Sequence, residues 1–172
     1  MTIIFAAATV PVNPAGAYPV MTLKQLWAGL ELKRRMPQLF LAVIDTCEVL
    51  EDDGESVLRE VKFKDGGGVG MPPVIGPKVQ ERITHIKPLS EESGSGLETF
   101  TSIGSASRVL NIVSTGIDGG LNLTFSFEWD HEDIEAGSHA AVEKQKEYQA
   151  TAPKGVAGTL NAIREMVKEG RL

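Results

Sequence analysis

Between Val43 and Trp129 the chain carries about six segments in which apolar and polar residues alternate, and one long helical stretch then runs almost to Leu172. A short strand and helices precede them. A run of antiparallel strands with one apolar face must lay that face against something. The terminal helix is the element long enough to receive it. A curved sheet wrapped around a helix leaves a space between the two, so the order of elements predicts a ligand pocket before any single residue does. The expected class is α+β: a curved seven-stranded antiparallel sheet around a long C-terminal helix, with two short helices after the first strand.

Residues 2–12 read as the first strand, and a Pro/Gly/Ala loop follows from Asn13 to Pro19. Thr22 with Gln25 three residues later has the form of a capping box. Leu23, Leu26, Trp27 and Leu30 then recur at helical spacing. Pro37 suits the first turn of a second, short helix reaching about Leu41. Strands are expected over 43–50, 57–63, 79–86, 97–103, 108–115 and 121–129, with a tight turn at Asp118-Gly119-Gly120. The last helix should cover about 138–169, with Val156, Leu160, Ile163 and Val167 on one face. Pro153 cannot donate to the helix ladder and should kink that helix or split it. Gly155 and Gly158 each cost a helix about 1 kcal/mol relative to alanine. They point either to close packing on the sheet or to room for a ligand. No repeat and no linker is visible, so residues 1–172 are expected to form one domain.

Composition narrows the function. The chain has 172 residues and a net charge of −6, which argues against a nucleic-acid binder. Lys33-Arg34-Arg35, the nearest basic cluster, reads as dipole partners at a helix end. One cysteine, Cys47, leaves no intramolecular disulfide and suggests a buried structural thiol. No apolar stretch is long enough to span a membrane, and Ile3 to Val12 reads as a strand rather than a signal peptide. The expected setting is cytoplasmic. With three histidines and one cysteine, no metal site is expected. Asp130-His131-Glu132-Asp133 reads as a solvated cluster at a helix start. The glycine-rich run from Asp65 lacks the Walker lysine and leads to a strand, not a helix, so it is no phosphate loop. It is expected to be a hairpin flap over the pocket mouth or a disordered loop. No G-x-S-x-G elbow occurs, and no cofactor is implied.

Strand parity locates the pocket lining. In the last strand Leu121, Leu123, Phe125, Phe127 and Trp129 share one face, which must meet the terminal helix. The same rule carries polar residues inward. Arg59 travels with Val57, Val61 and Phe63. Glu81 and His85 travel with Val79 and Ile83, and Asn111 with Val109 and Val113. The strands at 43–50 and 97–103 remain ambiguous. Arg59 and Glu81 lie on successive strands and can pair. The pair is either an internal salt bridge that sets register or a polar end that hydrogen-bonds a ligand, with Glu81 moving a proton. His85, near a strand end, is expected on the surface or rim. Asn111, Phe63, Phe125, Phe127, Trp129 and Gly155 complete the expected ligand-binding set.

Several stretches resemble the AtaL-like branch of the SRPBCC superfamily, the START and Bet v 1-like helix-grip proteins. They are Val10-Pro-Val-Asn-Pro14, Leu26-Trp-Ala-Gly-Leu30, Pro37-Gln-Leu-Phe40, Cys47-Glu-Val-Leu50, Val79-Gln-Glu-Arg82, Leu123-Thr-Phe-Ser-Phe-Glu-Trp129 and Ala162-Ile-Arg-Glu165. The resemblance implies a deep pocket between sheet and grip helix, and a setting in secondary metabolism. It also implies that Gly66–Pro77 and Glu91–Gly96 are insertions flanking the pocket mouth. The wider superfamily includes polyketide cyclases and aromatases, lipid carriers, hormone receptors and chaperone cofactors. The expected function is binding of a hydrophobic small molecule by a cofactor-independent cyclase or isomerase, with Glu81 as acid or base and Arg59 stabilising a developing oxyanion. The alternative is a non-catalytic carrier of a lipid or polyketide. A protein-binding module is the third reading. No sequence feature bears on oligomeric state.

Overall fold

The computed structural model describes residues 2–64, 78–90, 92 and 94–172. Strand β1 covers Thr2–Pro11 and helix α1 covers Leu23–Arg35. The capping box is formed: Thr22 Oγ1 accepts from the Gln25 amide at 3.2 Å, and Gln25 Oε1 accepts from the Thr22 amide at 3.0 Å. The stripe Leu23, Leu26, Trp27 and Leu30 is buried. The expected second helix is a single 3-10 turn, Pro37–Leu39.

Strands follow in order: β2 (Ile44–Asp52), β3 (Ser56–Phe63), β4 (Lys78–Ile86), β5 (Gly96–Ser102), β6 (Arg108–Thr115) and β7 (Leu121–His131). Helix α2, His139–Lys168, ends the fold. All seven strands form one antiparallel sheet in the order β1-β7-β6-β5-β4-β3-β2. The first strand therefore closes against the last, in unbroken register from Thr2↔His131 to Pro11↔Asn122. β2 is the opposite edge, and its pairing with β3 shifts register twice. Cys47 on that edge is half-buried rather than enclosed.

Helix α2 lies along the sheet and is fastened at both ends. Gln145 and Gln149 donate to the carbonyls of Phe5 and Ala7, and Arg164 donates to those of Pro19 and Val12. The helix is continuous through Pro153 and is not split. Pro153 is exposed, so water can solvate the carbonyl that its missing N–H leaves unpaired. Asp130 and His131, expected at a helix start, instead extend β7 and are buried, because β1 goes on pairing with them. The connection 65–77, expected as a flap or disordered loop, lies outside the described residues, as do Glu91 and Ser93. Among the described residues no helix is long and apolar enough to cross a membrane.

The main core joins α1, α2 and β7 through Leu26, Leu30, Leu123, Phe125, Val156, Leu160 and Ile163. α1 meets α2 where Gly29 faces Ile163. A Cβ on Gly29 would fall 2.5 Å from Ile163 Cγ1. Alanine there gains about 1 kcal/mol in helix propensity but overpacks the crossing by roughly 1–3 kcal/mol. Gly29→Ala is expected to lower stability in urea denaturation by on the order of 1 kcal/mol net. A gain in stability would show that the two helices separate freely.

Candidate functional site

The strand parity read from the sequence is the parity observed. Arg59, Val57 and Val61 point inward from β3, Ile83 from β4, Asn111 and Val113 from β6, and Leu123, Phe125 and Trp129 from β7. In β5, which was ambiguous, Glu98 and Phe100 are buried and lie opposite Asn111 and Val109. Between this face and α2 is a cavity of about 500 Å³. Arg59, Glu81, Asn111, Phe63, Phe125, Phe127, Trp129 and Gly155, all singled out from the sequence, line it together. Phe40 to Ile44 border it, and Tyr148, Thr151, Ala152, the exposed Lys154, Gly155 and Gly158 form its α2 side. A Cβ on Gly155 or Gly158 would meet no atom within 4 Å. The two glycines therefore enlarge the cavity; they do not allow close packing on the sheet.

One end of the cavity is polar. Arg59 donates from Nε (3.0 Å) and Nη2 (2.8 Å) to Glu81 Oε2. Its Nη1 donates to the carbonyls of Lys33 (3.0 Å) and Arg34 (2.8 Å), capping the C-terminus of α1. Four of its five N–H groups are thus committed. Asn111, fully buried, donates from Nδ2 to Glu98 Oε2 at 3.0 Å. A carboxylate can only accept, so this bond orients the amide and leaves Oδ1 without a partner.

Lys33 and Arg34 correct an expectation. They stand in the last turn of α1, as dipole partners would, but are buried beneath it and not solvated. Arg34 Nε forms an ion pair with Glu98 Oε1 at 2.8 Å, and its Nη1 lies 2.8 Å from His85 Nδ1. Arginine cannot accept, so Nδ1 accepts and the His85 proton sits on Nε2. Burial and the Arg34 charge lower the basicity of His85. His85, expected on the surface or rim, is half-buried and a partner of Arg34. Burial raises the Glu98 carboxyl above its ordinary value, against the pull of Asn111, Arg34 and Lys33. The Lys33 ammonium stands 4.1 Å from the Phe125 ring centroid and 5.8 Å from that of Phe100. Burial pushes it down to about 8.

Sequence reasoning missed Lys33, Arg34, Glu98 and Tyr148. A signal for the first two was present: positions 33 and 34 continue the spacing of 23, 26, 27 and 30. Tyr148 lines the cavity and hydrogen-bonds His131 Nε2 at 2.9 Å. Burial pushes its hydroxyl up to about 12, so it keeps its proton. Burial also raises the Cys47 thiol, and Cys47 does not line the cavity. Among the described residues no group of three or more His, Cys, Asp or Glu side chains could hold a metal ion. A second recess of about 530 Å³ is lined mostly by polar and charged residues such as Glu60, Lys78, Gln80, Asp130 and Glu132, together with Val79 and Ile103.

The Lys33 environment has a stability consequence. Its folded value, about 8, lies below the ordinary 10.5. The unfolded chain therefore binds more protons between those limits, and stability rises with pH across them. The penalty is fully present below pH 8. Lys33→Met should raise stability at pH 7 by roughly 1–3 kcal/mol, with a smaller gain at pH 10. Urea titrations at the two pH values check this. Gly158→Ala should also stabilise, by about 0.5–1 kcal/mol, since its Cβ meets nothing.

Comparison with known proteins agrees with this fold. A family model described as Acetylaranotin biosynthesis cluster protein L matches residues 6–170. The protein of that name from Aspergillus terreus (strain NIH 2624 / FGSC A1156) is 26% identical over 166 residues, covering 96% of this chain and 91% of the relative. Human STARD10 superimposes with a TM-score of 0.62 at 10% identity, covering 96% of this chain and 65% of the other. The Zhui aromatase/cyclase from Streptomyces sp. R1128 gives 0.57 at 14% identity, covering 98% and 95%. Ara h 8.0201 gives 0.53 at 12%, covering 98% and 99%. These solved structures share the helix-grip fold.

Proposed function

The chain belongs to the AtaL family, and on that premise we propose that it holds a flexible, largely apolar small molecule beneath α2 and directs its cyclisation or isomerisation without a cofactor. The shape of the cavity carries this proposal. Its volume of about 500 Å³ falls within the roughly 300–1,000 Å³ of sites for small organic molecules. Its walls are aromatic, and its α2 side is opened by two glycines. A pocket of that form can hold a flexible chain folded near a reactive geometry, which lowers a barrier by orientation alone.

Glu81 is the proposed proton carrier. Arg59 fixes its Oε2, and no hydrogen bond engages Oε1 among the described residues. The N–H left on Arg59 Nη2 is a donor for a developing oxyanion. The relative from Aspergillus terreus is named for a biosynthesis cluster, which supports specialised metabolism as the setting. We place the protein in the cytoplasm, as one domain, with its one cysteine unpaired. A non-catalytic carrier of a lipid-like or polyketide molecule is the second reading. It is favoured by the closure of Arg59 and Glu81 on each other, a pair that is explained without any reaction.

The test is native and denaturing mass spectrometry of protein purified from its own host, with extraction of whatever it holds. An enzyme is expected to carry, and on addition of precursor to form, an isomer or a dehydrated form of that precursor. Recovery of one molecule, unchanged after incubation with fresh protein, would support the carrier. Glu81→Gln should cut turnover by about 10²-fold or more while binding of the recovered molecule changes little. Equal loss of binding and turnover would remove the proton-transfer role.

A further inference from the structure

We propose that the Lys33 ammonium is the fixed counter-charge for an anionic oxygen at the buried end of the bound molecule, so that the cavity selects an apolar body ending in a carboxylate or an enolate. This rests on the cavity being a ligand site, and it adds the class of ligand.

Lys33 leaves the last turn of α1, is only 5% exposed, and lines the cavity. Its ammonium lies over the Phe125 ring. Among the described residues it makes no hydrogen bond and no ion pair, and the two carboxylates that attract it, Glu98 and Glu81, each hold an arginine. Glu81 serves Arg59, at 2.8 Å. Glu98 serves Arg34 and Asn111, at 2.8 and 3.0 Å. The buried cluster holds three cations, Lys33, Arg34 and Arg59, against the carboxylates of Glu81 and Glu98, and the partly exposed Glu31, 3.2 Å from Arg34, is shared with Lys87 at 3.1 Å, in a chain whose net charge is −6. An aromatic face offsets part of the loss of hydration. A buried ammonium is otherwise retained only where something pairs with it. Asn111, whose buried Oδ1 has no hydrogen-bond partner, borders the same cavity.

Two fluorescent probes that share a skeleton and differ by one sulfonate test this: 8-anilinonaphthalene-1-sulfonate and N-phenyl-1-naphthylamine. Both are titrated against the full chain and against Lys33→Met and Lys33→Gln. The wild type is expected to bind the anionic probe at least tenfold more tightly than the neutral one. Both variants should lose that preference, with the neutral probe's Kd within about twofold of wild type. Two variants of different polarity guard against one failing to fold, and thermal melts identify which are native. If the folded variants keep the anionic preference, or lose both probes equally, the anchor is overturned and the pocket stands. If neither probe binds the wild type, the ligand pocket itself falls and the anchor with it.

Discussion

The Arg59 guanidinium is the contact on which the polar end of the molecule depends. From the middle of β3 it holds Glu81 on β4, and from the same group it caps the last carbonyls of α1. Strand pairing and helix position are thus tied by one side chain. Pinning α1 by its C-terminus also sets the direction of the residues whose carbonyls are bound. Lys33 and Arg34 belong to the helix turn that Arg59 captures, and both run inward beneath it. Without that cap the last turn of α1 would present unsatisfied carbonyls to a buried space, and solvent would be the better home for both charges.

What was legible in the sequence followed from period. The alternation from Leu121 to Trp129 assigns a face to every residue of the last strand. The same rule, applied to neighbouring strands, brings Arg59, Glu81 and Asn111 to one side of the sheet. In α1 the capping residues and the apolar stripe are local, so the sequence shows them directly. Each miss has a tertiary cause. In β5 the two faces carry similar apolar content, and preferring Phe100's face means burying Glu98. Its partner Arg34 lies far back along the chain, so no local pattern makes that burial acceptable. The basic triplet at 33–35 has a sufficient local explanation in the helix dipole. That explanation hid the continuation of the buried stripe through positions 33 and 34. Asp130 and His131 extend a strand because β1, at the other end of the chain, continues to pair with them.

Around the cavity the described residues depart from what stability alone would select in at least two ways. α2 carries glycines where a Cβ would touch nothing, although alanine is the better helix former. α1 places an ammonium against aromatic rings where an apolar side chain of similar length would avoid dehydrating a charge. Sequences that break local rules without compensation elsewhere tend to do so at functional sites. Here the missing bulk and the surplus charge are complementary. One makes room for a molecule, and the other is met by an oxygen that such a molecule can bring.

This complementarity bears on how enzyme and carrier are to be separated. An anionic oxygen on Lys33 is a bound-state contact for a fatty acid as much as for a polyketide, so it raises affinity under either reading and accelerates nothing by itself. Chemistry needs a group whose interaction changes as the reaction proceeds. The described cavity offers one arrangement of that kind: Glu81, held by Arg59 through one oxygen and unengaged at the other. If Lys33 stabilises an enolate that Glu81 creates, the two act at successive moments on one molecule. Loss of the lysine then weakens binding of the enolate more than binding of its neutral parent. A carrier has no such intermediate, and its lysine contributes equally before and after. The distinction between the two functions therefore lies in whether the lysine and the glutamate depend on each other, and not in the presence of either.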